Sequence, residues 1–182
     1  MMTKQAMNFT DYYSETLRRM REDGLLLVSA DRAGKPNVMT IGWGAIGIMW
    51  GRPVFTVMVR PSRFTYKLLE EVPAFTVNVP PPELAETVKH CGTVSGATHD
   101  KFREMNLDAI KSREVAPPII GQCLIHYECR IVHRCDMRPD LLIPEIHDEC
   151  YPGGNFHRYY FGELVASYAD EDVRTRLVGS AG

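Results

Sequence analysis

The chain lacks a strong net charge, a membrane-length apolar run and any paired-cysteine motif. Its 21 Lys and Arg against 23 Asp and Glu leave a formal net charge of −2. Such a balance gives no electrostatic case for nucleic acid or an anionic membrane surface. The apolar run Leu25-Leu-Leu-Val28 is far too short to cross a bilayer, which takes about 20 residues. The opening Met1-Met-Thr-Lys-Gln-Ala-Met-Asn8 has no apolar core of a signal peptide. A cytoplasmic protein is therefore expected, with neither membrane nor nucleic acid as partner.

Five cysteines, Cys91, Cys123, Cys129, Cys135 and Cys150, form no C-x-x-C pair and are odd in number. A disulfide framework or a zinc ribbon is unsupported. His90-Cys91, His99 and the cluster His147-Asp-Glu-Cys150 with His157 lack the spacing of a zinc or iron site, so no metal is expected. Nor does a Gly-x-Ser-x-Gly elbow point to a hydrolase.

What is present centres on Val54-Phe-Thr-Val-Met-Val59 and the following Arg60-Pro-Ser-Arg-Phe-Thr65. The first six residues read as a buried strand. The next six place two guanidinium groups, two hydroxyls and a helix start at its end. Open backbone N–H groups at a helix N-terminus, joined by Arg and Ser/Thr, form a site for phosphate or carboxylate. Taken alone, the segment equally fits a capped helix with solvated arginines.

With 182 residues, the chain suffices for one domain, taken here as 1–182. Phe9, Tyr13, Leu17 and Met20 recur at helical spacing, predicting a helix over about 9–22 with Thr10 or Asp11 as cap and Gly24 as its end. Strands are expected at Leu25–Ala30 and Asn37–Trp43, joined by the Asp31–Pro36 turn, then at Val54–Val59, Ala74–Val79, Gln122–Cys135 and His157–Ala169. Short helices are expected at Ser62–Glu71, Glu83–His90 and Asp100–Met105, with a terminal helix over about 170–178. A mainly β, barrel-like domain spanning about 25–169, with short helical insertions and terminal helices, is the simplest architecture.

Cys123, Ile125, Tyr127, Cys129, Ile131, His133 and Cys135 share one strand parity; Glu128, Arg130 and Arg134 share the other. That alternation predicts a long half-buried strand, its thiols serving as small hydrophobes. Its apolar face exceeds what one small barrel obviously needs, so a homodimer is expected.

Gly42-Trp-Gly44-Ala-Ile-Gly47 formally matches the dinucleotide fingerprint G-x-G-x-x-G. That motif needs a helix directly behind it and an acidic residue about 20 positions on. Gly51 and Pro53 forbid the helix, and no acid occurs between Asp31 and Glu70. Gly42–Gly51 is instead expected to be a flexible connection, or one that lets backbone approach a flat ligand. Cys91-Gly-Thr-Val-Ser95-Gly-Ala-Thr-His-Asp100-Lys-Phe102 gathers hydroxyls, glycines and a lysine before a helix. It is either a second anion-binding nest or a polar loop capped by Asp100.

Asn37-Val-Met-Thr40-Ile-Gly-Trp43, Arg60-Pro-Ser-Arg-Phe-Thr65, Phe75-Thr-Val-Asn78 and Cys91-Gly…Ser95-Gly…Asp100-Lys-Phe102 together resemble the flavin reductase-like family, in its flavoredoxin-type branch. The resemblance runs from about Leu25 to about Ala166. It implies an FMN-binding split β-barrel, usually a homodimer with flavin near the subunit interface. Met39, Thr40, Ile41 and Trp43 would lie along the isoalloxazine ring. Arg60, Ser62, Arg63 and Thr65 would hold the phosphate. Asn78, Ser95, Lys101 and Phe102 would meet the ribityl chain, phosphate or ring edge. His157 matches the family's late Gly-x-His element and is the candidate at the reactive face, its alternative being a hydrogen-bonded strand histidine. Phe156 departs from the acidic residue common in the family. The implied activity is NAD(P)H-dependent flavin reduction on noncovalent FMN, with an FMN electron carrier served by a redox protein as the alternative.

Overall fold

Leu25–Ala30 shows how the domain is layered. Successive strand residues face opposite sides, yet all six are buried. Leu25 and Leu27 enter one apolar cluster with Ile41, Phe55, Val57, Phe75, Val77 and Tyr127. Leu26 and Val28 enter a second with Val38, Val88, Cys91 and Phe102. The sheet carries core on both faces here, one inside the barrel and one beneath helices.

The computed structural model describes residues 4–178. The extreme ends of the expected 1–182 domain therefore lie outside the described residues. The strands are β1 (Lys4–Ala6), β2 (Leu25–Ala30), β3 (Pro36–Ile41), β4 (Gly44–Met49) and β5 (Arg52–Val59), then β6 (Ala74–Val79), β7 (Ala109–Ile110), β8 (Ile119–Ile120), β9 (Ile125–Asp136) and β10 (Arg158–Asp170). The helices are α1 (Tyr13–Glu22), α2 (Phe64–Glu71), α3 (Ala85–Thr93), α4 (Lys101–Glu104), α5 (Pro144–Cys150) and α6 (Val173–Val178). None of the described helices is long and apolar enough to cross a membrane.

One eight-stranded antiparallel sheet runs β3-β2-β6-β9-β10-β5-β4, with β1 added to β10 and β7-β8 forming a separate ribbon. The outermost strands of that path, β3 and β4, are joined by Gly42 and Trp43 alone. The sheet must therefore curl until its two edges approach each other. It is a barrel split between β3 and β4, as the family resemblance implies.

Several local expectations are corrected. Gly42–Gly51 is not a flexible connection, because Gly44–Met49 pairs with Arg52–Val57 in a β-hairpin. Its turn residues Trp50 and Gly51 take φ of 53° and 70°, the positive-φ pair of a two-residue hairpin turn that follows strand twist. A Cβ on Gly44 would meet the Thr56 carbonyl oxygen at 2.7 Å, whereas one on Gly47 would meet nothing within 4 Å. Gly44 thus permits close strand pairing rather than access to a ring. Thr10 and Asp11 do not cap α1. Asp11 instead accepts the Asn8 N–H, Asn8 accepts that of Thr10, and the helix begins at Tyr13.

The β9 alternation also breaks down. His126 and Glu128, on the supposedly polar face, are as buried as Ile125, Tyr127 and Cys129. The covering comes from the connection between β7 and β8, whose Arg113, Glu114 and Val115 N–H groups all donate to the Glu128 carboxylate. A buried charge needs such partners. The face through Cys123, Ile125, Tyr127 and Cys129 is fully covered within one chain, so it supplies no surplus apolar surface for a dimer. Beyond Arg130 the strand projects, and Val132, His133 and Cys135 are exposed.

Candidate functional site

The end of β5 and the start of α2 make the first wall. Thr65, Leu68 and Leu69 bury one side of α2, which fixes its opening turn beside the split. Arg63 occupies the N-cap in extended backbone without a side-chain cap. The N–H groups of Phe64 and Thr65 have no acceptor within the helix, while that of Tyr66 donates to Arg63 O. A cavity of about 280 Å³ opens here, against β3 and the segment from Cys91 to Lys101.

Most of the residues expected from the sequence meet in it. Met39, Thr40, Ile41 and Trp43 come from the β3 edge, and Arg60, Ser62, Arg63 and Thr65 from the strand-to-helix junction. Ser95 and Lys101 close the far side, and His157 stands at the start of β10. Asn78 and Phe102 do not line it. The Asn78 amide is spent inside the sheet: it donates to Leu26 O and accepts from Ile120 N and His126 Nδ1. Phe102 turns the opposite way from Lys101, into the cluster with Leu26 and Val28.

The two arginines differ in what holds them. Arg60 donates to the carbonyls of Asn155 at 2.9 Å and Cys150 at 3.0 Å. Its guanidinium also lies 4.8 Å above the Tyr151 ring. Asn155 in turn donates to Ser62 Oγ at 2.7 Å. Arg60 and Ser62 therefore fasten the 150–155 turn to the cavity rim, a role the sequence did not suggest. The Arg63 guanidinium makes no hydrogen bond or ion pair among the described residues and borders the cavity.

The neighbouring polar groups are more constrained. Asn37 donates to Thr65 Oγ1 at 2.9 Å, leaving the Thr65 proton to be given elsewhere. Lys101 is 5% exposed, and its Nζ donates to Cys91 O at 2.9 Å. Burial, with the Arg63 charge, lowers its pKa. Burial also pushes the adjacent Cys91 thiol up to about 11, so it stays protonated rather than nucleophilic. Thr40 donates to the Val88 carbonyl, tying β3 to α3.

His157 Nδ1 lies 2.6 Å from Tyr151 Oη, and its ring centroid stands 5.2 Å from that of Trp43. Desolvation, then the Arg60 and Arg63 charges, lower its pKa to about 4. Tyr151 escaped sequence reading because its segment carries no motif; only the Arg60 attachment brings it to the site. Asn37, Met58 and Gly96 also line the cavity. Asn37 and Gly96 stand inside quoted motifs and could have been found there, whereas Met58 shows only strand character.

A flat ring could lie against Met39, Ile41, Met58 and Trp43, with an anion at Arg63, Thr65 and the α2 N–H groups. The lining mixes apolar side chains with convergent polar and charged groups, as small-molecule sites do. Among the described residues no group of three His, Cys, Asp or Glu could hold a metal.

The flavin reductase like domain model matches residues 18–179. An uncharacterized protein of Archaeoglobus fulgidus is 37% identical over 98 residues, 54% of this chain and 55% of that one. The chain thus spans little more than half of that relative. Flavoredoxin from Methanosarcina acetivorans superposes with a TM-score of 0.63 at 27% identity, covering 82% of this chain and 69% of that one. A split-barrel-domain structure from Shewanella frigidimarina reaches a TM-score of 0.67 at 15% identity, covering 91% of this chain and 81% of that one. That second likeness shows the fold alone. With its split sheet and a family match over nearly its whole length, the chain belongs to the flavin reductase-like family.

Proposed function

We propose that this chain is an FMN-binding oxidoreductase that draws electrons from NAD(P)H and passes them to free flavin or another acceptor. The observation that carries this is the Arg63 guanidinium, unpartnered among the described residues, beside the open start of α2 in a cavity with one apolar wall. Charge-assisted bonds from Arg63 and the Thr65 hydroxyl suit the phosphate. Met39, Met58 and Trp43 suit the ring. The flavin would supply the electron-transfer chemistry, while the protein supplies position and electrostatics. Arg60 acts indirectly, holding Tyr151 and the 150–155 turn against the rim. His157, uncharged at neutral pH, offers a hydrogen bond at the cavity edge without adding charge.

Visible absorbance of the purified protein tests flavin binding directly. NADH or NADPH oxidation by the loaded protein then separates a reductase from an electron carrier fed by a redox protein. The carrier reading draws on the likeness to flavoredoxin, and absence of turnover with either nucleotide would favour it.

We also propose a homodimer. Ile48, Met49 and Trp50 at the β4–β5 tip are 61%, 37% and 64% exposed, an apolar surface that a second copy would cover. Sedimentation of Trp50→Glu as a monomer, with the wild type a dimer, supports this; a monomeric wild type that still binds flavin contradicts it.

A further inference from the structure

The excursion between β9 and β10 carries an open surface beside the cavity. Leu141, Ile143 and Ile146, just before α5 and in its first turn, are 74%, 57% and 43% exposed. The helix makes no extensive contact with any other described helix or strand. It is held at its C-terminal end, where the Cys150 carbonyl accepts from Arg60. Large apolar side chains exposed together in one short segment, rather than singly, mark a contact surface.

The charge around them has one sign. Residues 139–157 hold Asp140, Glu145, Asp148 and Glu149 and no Lys or Arg. That is more negative charge than the net −2 of the whole chain. All four acids are exposed. Asp140 pairs with Arg138, and Asp148 meets His147 Nδ1 at 2.9 Å. Glu145 and Glu149 have no hydrogen bond or ion pair among the described residues.

A run of rings joins this surface to the cavity. The His147 ring of α5 lies 5.7 Å from that of Phe156, and Phe156 stacks on Tyr151 at 4.8 Å. Tyr151 meets Trp43 at 6.4 Å, and Trp43 lines the cavity. An apolar centre within a charged rim, on a small projecting element, has the form of a weak and transient protein contact. Its acids repel nucleic acid and anionic membranes and would steer a positively charged protein towards it. A partner seated there stands close to the ring site without entering the cavity, which suits exchange of electrons.

We infer that residues 139–150 form a docking surface for a positively charged protein carrying a one-electron haem or iron–sulfur centre. The inference rests on the flavin reading proposed above and adds that the acceptor includes a protein. For each hydride taken up, two such partners are reduced by one electron each, and the remaining proton is released to solvent.

Cytochrome c, a small basic haem protein, serves as the probe. Its calorimetric binding, and its reduction by the pre-reduced, flavin-loaded protein, are followed from low to high salt. The wild type is compared with Glu145→Lys/Glu149→Lys, with Leu141→Ser/Ile143→Ser and with a charge control, Glu83→Lys/Glu86→Lys. The control residues are exposed near the start of α3. The wild-type rate should fall with salt, and each flap variant should lower it at low salt by at least about tenfold, weakening binding in parallel. The control pair should stay within about twofold of wild type. FMN affinity should be unchanged in every variant, since none of these residues lines the cavity. A rate that ignores salt, survives both flap variants or falls as far in the control would overturn the inference and leave the flavin site standing. So would dissociation of a wild-type dimer by Leu141→Ser/Ile143→Ser in sedimentation, since a second copy would then cover the flap. A wild type that binds no flavin would remove the functional reading itself, and this inference with it.

Discussion

Tyr151 Oη stands 2.6 Å from His157 Nδ1, beneath an Arg60 guanidinium 4.8 Å from the phenol ring centre. Burial, then the nearby Arg60 and Arg63 charges, disfavour a positive charge on the imidazole. With the phenol as donor, the pair is expected to hold His157 as a neutral ring accepting at Nδ1, its proton on Nε2. Nitrogen-15 NMR of the imidazole should show that tautomer at neutral pH and titration near the value of about 4. Tyr151→Phe should mix the tautomers and leave the fold intact. A wild-type imidazole titrating at its ordinary value would refute this reading.

Acid stability follows from the same lowered pKa. Between 6.5, the ordinary imidazole value, and about 4, the unfolded chain binds a proton at His157 that the folded chain does not. Stability must then rise with pH through this window and fall on acidification. His126 acts in the same direction more strongly: it is fully buried, its pKa is well below 6.5, and its Nε2 has no partner. Chemical denaturation of wild type and His126→Gln between pH 4 and 7 should show a flatter pH dependence in the variant.

Arg63→Ala should weaken FMN at least tenfold and riboflavin much less, because the lost bonds go to phosphate and are worth about 1.5–3 kcal/mol. Arg60→Ala should weaken both ligands alike, since it frees the 150–155 turn instead. Side-by-side titrations of the two variants decide it. Identical losses for FMN and riboflavin in Arg63→Ala would remove Arg63 from the phosphate site.

Gly44→Ala should lower stability by about 1–3 kcal/mol through overpacking, because its Cβ would press on the Thr56 carbonyl. Gly47→Ala, which has open space, should stay within about 0.5 kcal/mol of wild type. Neither residue lines the main cavity, so flavin affinity should survive both changes. Thermal unfolding with parallel FMN titration measures the contrast.

Thiol labelling offers an independent check of the fold. Cys135 is exposed, whereas Cys91, Cys123 and Cys129 are buried, and burial raises the pKa of all three. Iodoacetamide should modify Cys135 first in the native protein and reach the buried three only on unfolding. Early labelling of Cys129 would mean that β9 is not covered as described.

Regular elements with strong local signals were legible in advance. Leu25–Ala30 and Ala74–Val79 end where the sequence placed them, because short, mostly apolar and β-branched runs begin directly after Gly24 and Pro73, and Pro80 stops the second. The Gly44–Met49 strand was hidden because three of its exposed or half-exposed positions carry Gly or Ala, residues with weak strand preference. Pairing with β5 supplies what propensity does not.

The site divides in the same way. Sequence by itself marked Arg63, Thr65, Ser95 and Lys101, since hydroxyls, cations and a helix start cluster within short segments. It could not tell that Arg60 would be spent on backbone carbonyls and Arg63 left uncommitted, although both stand in one motif. Nor could it place Asn78 in the sheet interior or bring Tyr151 onto His157. Residue type and spacing set which groups are able to bind an anion. Which groups remain available is decided by the partners that distant segments supply, and only the folded, curled sheet brings those segments together.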